Sequence, residues 1–107
     1  MQMVGVIIAS MTGAKAANAP WFDSDITNLK DSWNLVIHIA IGTASVVQYT
    51  LDGGTNWINL NNSENLVAGS DYTFVMQVMK GDAFNLRHTN TAAGDINIII
   101  ARLSYGK

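Results

Sequence analysis

Residues Gln48–Trp57 read QYTLDGGTNW and contain the clearest structural signal in the chain. An apolar run precedes the Asp-Gly-Gly-Thr turn, and an aromatic residue and a second apolar run follow it. Asp and Gly tolerate the positive φ angles that tight hairpin turns require. The stretch therefore predicts a β-hairpin whose arms are Ala44–Leu51 and Asn56–Leu60.

Alternating apolar residues continue this β pattern on both sides of the hairpin. In Trp33–Ile41 the large apolar residues fall on one face of a strand. Further strands are predicted at Met3–Ser10, Asp71–Met79, Ala83–His88 and Asp95–Ser104. Polar loops separate them, among them Asn61–Asn65 and Thr89–Gly94. The pattern predicts an all-β chain, a single-domain antiparallel β-sandwich of the jelly-roll type with about seven to eight strands.

The length of 107 residues is typical of one domain. Within it, Met1–Pro20 is expected to form an N-terminal strand or arm with a connector, and residues 21–107 the sandwich. The strand Met3–Ser10 is apolar on both faces, so it is either a buried strand or an arm clamped between surfaces. The segment Trp21–Asp31 fits a loop or one short capped helical turn equally well.

Charged residues make up only 13% of the chain, whereas about 25% is usual in soluble domains, and the net charge is -2. So few charges indicate that part of the surface does not face water. The six basic residues are scattered, which argues against a nucleic-acid partner. Apolar runs fall far short of the roughly 20 residues of a membrane-spanning helix, so we expect no membrane span. Without cysteine, disulfides and thiolate chemistry are excluded.

Apolar residues also occupy strand faces that should be polar in a solvated sandwich. The first and last strands are apolar on both sides, and Val36, Ala40 and Val75 interrupt otherwise polar faces. Either the N-terminal segment covers one sheet or another subunit does, and the low charge favours the subunit. We therefore expect a homo-oligomer. The candidate interface residues are Val4, Val6, Ile8, Trp21 and Phe22.

The segment Thr50–Trp57 resembles the Asp-box, a hairpin motif of sialidases and other β-proteins with the pattern Ser/Thr-x-Asp-x-Gly-x-Thr-Trp/Phe. Asn56 replaces the usual Thr. The matching residues are Thr50, Asp52, Gly54 and Trp57. The resemblance implies that the Asp side chain ties down the turn and that the aromatic ring packs beneath it, away from any catalytic centre. It supports a hairpin rather than glycosidase activity. Gly81 and Asp82 are predicted to form a second structural turn.

A broader resemblance covers about Trp33 to Ser104. An apolar strand is followed by the hairpin and then by the segments Tyr72–Phe74, Lys80–Asp82 and Asn85–Arg87. This order is similar to that of small single-domain sandwich or jelly-roll proteins in the particles of bacterial and archaeal viruses. The resemblance implies a capsid, decoration, spike or tail component that assembles from many copies.

Catalytic and metal-binding patterns are weak. His38 and His88 have no Asp or Glu at a metal-site spacing, and no nucleophile-elbow motif is present. Asp23 and Asp25, with Asp31 nearby, offer oxygen ligands for Ca²⁺, but solvated loop carboxylates or a helix cap explain them as well. We expect neither an enzyme, nor a metal site, nor a cofactor.

These observations predict a non-enzymatic, self-assembling structural protein: a viral capsid, decoration or spike-base component, located in the virion and in contact with copies of itself and other virion proteins. The segment Met1–Pro20 would dock to a neighbour. The alternative is a secreted or cell-surface carbohydrate-binding module, in which Trp21 and the loops Asn61–Asn65 and Thr89–Gly94 bind a glycan.

Overall fold

A computed structural model describes residues 2–27, 33–89 and 95–106, with the backbone alone at 2–6, 33 and 103–106. This part of the chain contains eight β-strands and no helix. The strands are β1 Gln2–Ala14, β2 Ile26–Thr27, β3 Trp33–Ile41, β4 Val47–Thr50, β5 Ile58–Ser63, β6 Tyr72–Val78, β7 Ala83–His88 and β8 Asp95–Gly106. Because no helix is present among these residues, none is long and apolar enough to cross a membrane.

The strands form two four-stranded antiparallel sheets. Sheet 1 has the order β1-β8-β3-β6, and sheet 2 has the order β2-β7-β4-β5. The first strand pairs with the last, the second with the seventh, the third with the sixth and the fourth with the fifth. One long antiparallel hairpin, closed at the β4–β5 turn, is thus rolled into two layers. This is the jelly-roll arrangement, and the predicted fold class is confirmed.

The core lies between the two sheets and consists of aliphatic side chains with two aromatic rings. In β3 the inward residues Leu35, Ile37, Ile39 and Ile41 are buried, and β8 contributes Ile96, Ile98 and Ile100. Alternation along each strand sends these side chains to one face of sheet 1. The buried apolar residues are Trp21, Leu35, Ile37, Ile39, Ile41, Val47, Leu66, Val78, Phe84, Leu86, Ile96, Ile98 and Ile100.

Some strand bounds differ from the predicted ones. β1 continues to Ala14, because its pairing with β8 extends to Asp95. β5 continues to Ser63, although Asn61–Asn65 was expected to be a loop. β2 lies in the segment that was expected to be a loop or a helical turn, and it pairs with Ala83 and Phe84 of β7. In each case tertiary pairing outweighs local composition.

Candidate assembly surface

The β4–β5 turn is held by the side chain of Thr50, which is fully buried. Its hydroxyl oxygen accepts hydrogen bonds from the backbone N–H of Asp52 at 3.3 Å and of Gly54 at 3.0 Å. The same hydroxyl donates to Asp52 Oδ1 at 2.8 Å. The Trp57 indole N–H donates to the Gly54 carbonyl at 3.0 Å, and Gly54 has a φ of 102° that favours glycine. These contacts all lie within the turn, and the importance of its residues for stability stays a prediction.

Asn56, which departs from the Asp-box pattern, supplies two donors to the Asp52 carboxylate. Its backbone N–H donates to Oδ1 at 2.9 Å, and its side-chain amide donates to Oδ2 at 2.6 Å. These two bonds, followed by that from the Thr50 hydroxyl, lower the pKa of Asp52 from 3.8 to about 2. Hydrogen bonds to the charged form stabilise it.

We therefore expect Asn56→Ala to raise the pKa of Asp52 part of the way towards 3.8, because the side-chain donor is lost and the backbone donor stays. A carboxyl NMR titration measures this pKa directly. The depressed pKa stabilises the fold fully above pH 3.8, and this contribution is lost as the pH falls through about 2. Asn62→Ala is the control, since Asn62 is an exposed asparagine of β5. An unchanged Asp52 pKa in Asn56→Ala contradicts this account of the turn.

The predicted second turn, Gly81 and Asp82, joins β6 to β7. Gly81 has a φ of 89°, in the region that favours glycine. Asp82 Oδ2 accepts a hydrogen bond from the backbone N–H of Met79 at 2.8 Å, and its own N–H donates to the Met79 carbonyl at 3.0 Å. Both residues therefore lie in turn geometry. Their importance for stability stays a prediction.

Trp21 occupies the core, so its assignment to an exposed interface or a glycan platform is wrong. The side chain is only 1% exposed, and its indole N–H donates to Nδ1 of His88 at 3.0 Å. The backbone N–H of Trp21 also donates to the Leu86 carbonyl at 2.8 Å. Residues 18–22 thus lie along β7, a long-range pairing that the local sequence does not reveal. Phe22 is half-buried and packs against the core.

Asn85 of β7 clamps this segment in place, and the sequence analysis did not identify it. The side chain is 1% exposed. Its Oδ1 accepts hydrogen bonds from the backbone N–H groups of Phe22 and Leu86, at 3.2 and 2.9 Å. Its Nδ2 donates to the Phe22 carbonyl at 3.0 Å and to Asp25 Oδ1 at 2.9 Å. A polar residue between the apolar residues Phe84 and Leu86 was the available signal.

His88 is buried in its neutral form beside Trp21. Because burial disfavours the imidazolium, the pKa of His88 is lowered from its usual 6.5, although the backbone carbonyl of Lys15 opposes this shift. Nδ1 of His88 accepts a hydrogen bond from the Trp21 N–H. Protonation of Nδ1 turns it into a donor, so the hydrogen bond is lost and two N–H groups face each other.

We expect the protein to lose stability as the pH falls below 6.5. The unfolded chain, with its higher His88 pKa, binds more protons there, so the stabilisation is complete above pH 6.5 and declines towards the lower folded pKa. Urea unfolding at pH values between about 7.5 and 5 measures the slope of the unfolding free energy against pH. His88→Gln should flatten it. Equal slopes in the wild type and His88→Gln would show that another group is responsible.

An apolar row crosses the outer face of sheet 1 through all four strands. Cross-strand pairing aligns Ile7 with Ala101, Ala101 with Val36, and Val36 with Val75. The two ends of this row are the most exposed, 65% for Ile7 and 68% for Val75, and Ile99 beside it is 38% exposed. Val36 and Val75 were expected on such a face. Monomeric proteins rarely expose contiguous apolar patches larger than a few hundred Å², so the apolar row is the candidate assembly surface.

A shift of register within β1 decides which of its residues is exposed. Pairing with β8 is irregular between Ile7 and Ala9, which marks a β-bulge. A bulge adds one residue and reverses the alternation of faces beyond it. Accordingly Ile8, a predicted interface residue, is half-buried and packs against the core, and Ile7 is exposed instead. Val4 and Val6 pair with Ser104 and Arg102, but their side chains lie outside the described part of the chain.

The outer face of sheet 2 is polar. The Arg87 guanidinium carbon lies 4.4 Å from the centroid of the Trp57 ring, and Arg87 Nε donates to Gln48 Oε1 at 2.8 Å. Gln48 Nε2 in turn donates to Asn59 Oδ1 at 2.9 Å. One face of the Trp57 ring is therefore already covered by a cation.

Acidic side chains do not converge on a metal site in the described ranges, where no three His, Cys, Asp or Glu residues lie close enough to hold an ion. Asp25 Oδ1 accepts from Asn85, and Asp23 lies 4.0 Å from the Lys15 ammonium. Asp31, the third candidate, is outside the described residues.

Comparison with known proteins identifies the fold but no relative by sequence. No protein-family model and no curated protein matches the chain. Among solved structures, infectious bursal virus derived T=1 particles match with a TM-score of 0.55 and 10% identity over 98% of this chain. A variant VP2 protein of infectious bursal disease virus, also from derived T=1 particles, matches with a TM-score of 0.53 and 9% identity. The chain spans about a third of the length of either protein, 32%. At such identities the likeness concerns the fold.

Proposed function

We propose that this chain is a non-enzymatic structural protein of a virus particle, which acts by associating with copies of itself. The observation that carries the proposal is the apolar row on a jelly roll whose structural neighbours come from virus particles. The proposed location is the virion, and the proposed roles are capsid, decoration or spike-base component. Contacts with other virion proteins follow from such a role.

The low charge content and the exposed apolar residues support association. Only 13% of the residues are charged. Sheet 1 presents Ile7, Val75 and Ile99 to solvent. Burying apolar surface contributes about 25 cal/mol per Å², so covering this face with a neighbour is favourable. Covering the polar outer face of sheet 2 would bury little apolar surface, so it would bring no comparable gain in free energy.

The main residue of the carbohydrate-binding alternative, Trp21, is not available to bind a glycan. Trp21 is in the core, and Arg87 covers one face of Trp57. The Asn61–Asn65 loop, which was to complete the site, is in part the edge strand β5, and Thr89–Gly94 lies outside the described residues beyond Thr89. We therefore propose assembly alone.

The test is the oligomeric state of the purified chain. Sedimentation velocity and native mass spectrometry across a hundredfold range of concentration should show a closed oligomer or a particle, which negative-stain electron microscopy can image. A monomer at every concentration contradicts the proposed function.

A further inference from the structure

The two sheets have four edge strands: β1 and β6 in sheet 1, and β2 and β5 in sheet 2. An edge strand presents unpaired backbone N–H and C=O groups that can pair with another chain. Within the strand itself, proteins protect such edges by shortness, bulges, proline or charge. An edge without protection therefore indicates where a partner strand is added.

Three of the four edges carry a protecting feature. β1 contains the bulge between Ile7 and Ala9. β2 is only two residues long. β5 contains Asn62 with a φ of 54°, which interrupts the extended backbone that continuous pairing requires.

β6 has no such feature. Its seven residues, Tyr72–Val78, read YTFVMQV and include no charge, glycine or proline. Its register with β3 is unbroken from Trp33 opposite Val78 to Ile39 opposite Tyr72. Phe74 and Met76, on its inner face, are only half-buried at the rim of the sandwich. The outward-facing Val75 is the most exposed large apolar residue of the described chain, at 68%.

We infer that two copies of the chain associate through β6, whose strands pair antiparallel about a two-fold axis at Val75. The inference rests on the proposed function of self-association and names its first contact. Side chains alternate along a strand, so paired residues must share a face. The register centred on Val75 meets this condition and engages the middle of the strand. In it Thr73 faces Gln77 and Phe74 faces Met76.

The chemistry of this register is complementary. Val75 contacts its symmetry mate, and the hydroxyl of Thr73 lies opposite the amide of Gln77, a pair that can hydrogen-bond. No like charges face each other, because Asp71 lies opposite Met79 and Lys80 opposite Ser70. The pairing joins two copies of sheet 1 into one eight-stranded sheet. It also doubles the length of the apolar row, which then presents a larger surface for further contacts.

The test is Val75→Lys. The side chain is mostly exposed in the single copy, so the variant should fold with an unchanged melting temperature. In the pair, however, two lysines lie directly opposite each other, and this like-charge juxtaposition disfavours association. The dimer Kd from sedimentation should rise by about 100-fold, since each tenfold corresponds to about 1.4 kcal/mol. Ile58→Lys is the control, because Ile58 is also exposed, at 48%, but lies on β5 of sheet 2, outside the apolar row.

A charge-swap experiment tests the two-fold axis itself. Val75→Lys and Val75→Glu should each be monomeric. Mixing them should restore a dimer of one copy of each, since the introduced lysine of one copy then faces the introduced glutamate of the other across the axis. Dimerisation of Val75→Lys with the wild-type Kd overturns the inference while the proposed function stands, as does a mixture in which both variants stay monomeric. A monomeric wild type, in contrast, overturns the proposed function.

Discussion

Trp21→Ala is expected to destabilise the fold by about 3–5 kcal/mol, the usual cost of removing a large buried aromatic side chain. The ring is 1% exposed and fills the core beside His88, with ring centroids 6.0 Å apart. Its removal leaves a cavity and deprives His88 Nδ1 of its donor. Chemical denaturation at about pH 7.5 measures the loss.

Two further variants separate packing from hydrogen bonding at this position. Trp21→Phe keeps most of the apolar volume but loses the N–H to His88, so we expect a smaller loss of about 1–2 kcal/mol. Phe22→Ala, at the half-buried neighbouring residue, should also cost less than Trp21→Ala. If Trp21→Ala changes stability by no more than about 0.5 kcal/mol, as a surface substitution does, the tryptophan does not hold the segment in the core.

Asn85→Ala is expected to cost about 2–4 kcal/mol, because it strips partners from several buried backbone groups at once. The Phe22 N–H and C=O and the Leu86 N–H each lose a hydrogen bond to the Asn85 amide. The segment that carries Trp21 and Phe22 should then exchange its amide hydrogens faster. Urea unfolding measures the stability, and hydrogen exchange followed by mass spectrometry measures the local opening.

Asn59→Ala is the matched control for Asn85→Ala. Asn59 also donates and accepts side-chain hydrogen bonds, to Ser63 at 3.4 Å and from Gln48 at 2.9 Å, but on the outer face of sheet 2. Water replaces these partners, so the expected loss is below about 1 kcal/mol. Equal losses for the two asparagines contradict the proposed clamp.

Strand periodicity and turn chemistry were sufficient to predict the strands that lie in the interior of the sheets. β3 and β7 begin and end at the predicted residues, Trp33–Ile41 and Ala83–His88. Both have neighbours on two sides, and large apolar residues recur at every second position along them. The Asp-Gly-Gly-Thr turn likewise has its partners within a few residues, from Thr50 to Trp57, so local reasoning could identify it.

Features that depend on residues far apart in the chain could not be predicted from the local sequence. The bulge in β1 exposes Ile7 instead of Ile8, and nothing in the local sequence marks the extra residue. The burial of Trp21 depends on His88 and Leu86, which lie far away along the chain. Val36 and Val75 were expected to interrupt polar strand faces, but the predicted interface residues were Val4, Val6, Ile8, Trp21 and Phe22. The apolar row and its most exposed members became clear only when the register across four strands was known.

The pairing of the first strand with the last sets the order in which the molecule can fold. Gln2 lies opposite Gly106 and Ala14 opposite Asp95, so β1 has no native partner until β8 has been synthesised. The β4–β5 turn, in contrast, closes from neighbouring residues. Folding should therefore spread from the middle of the sequence towards both ends, at the millisecond-to-second pace of all-β chains with distant contacts. Until β8 is available the apolar strand β1 stays unpaired, and during that interval it is prone to aggregation.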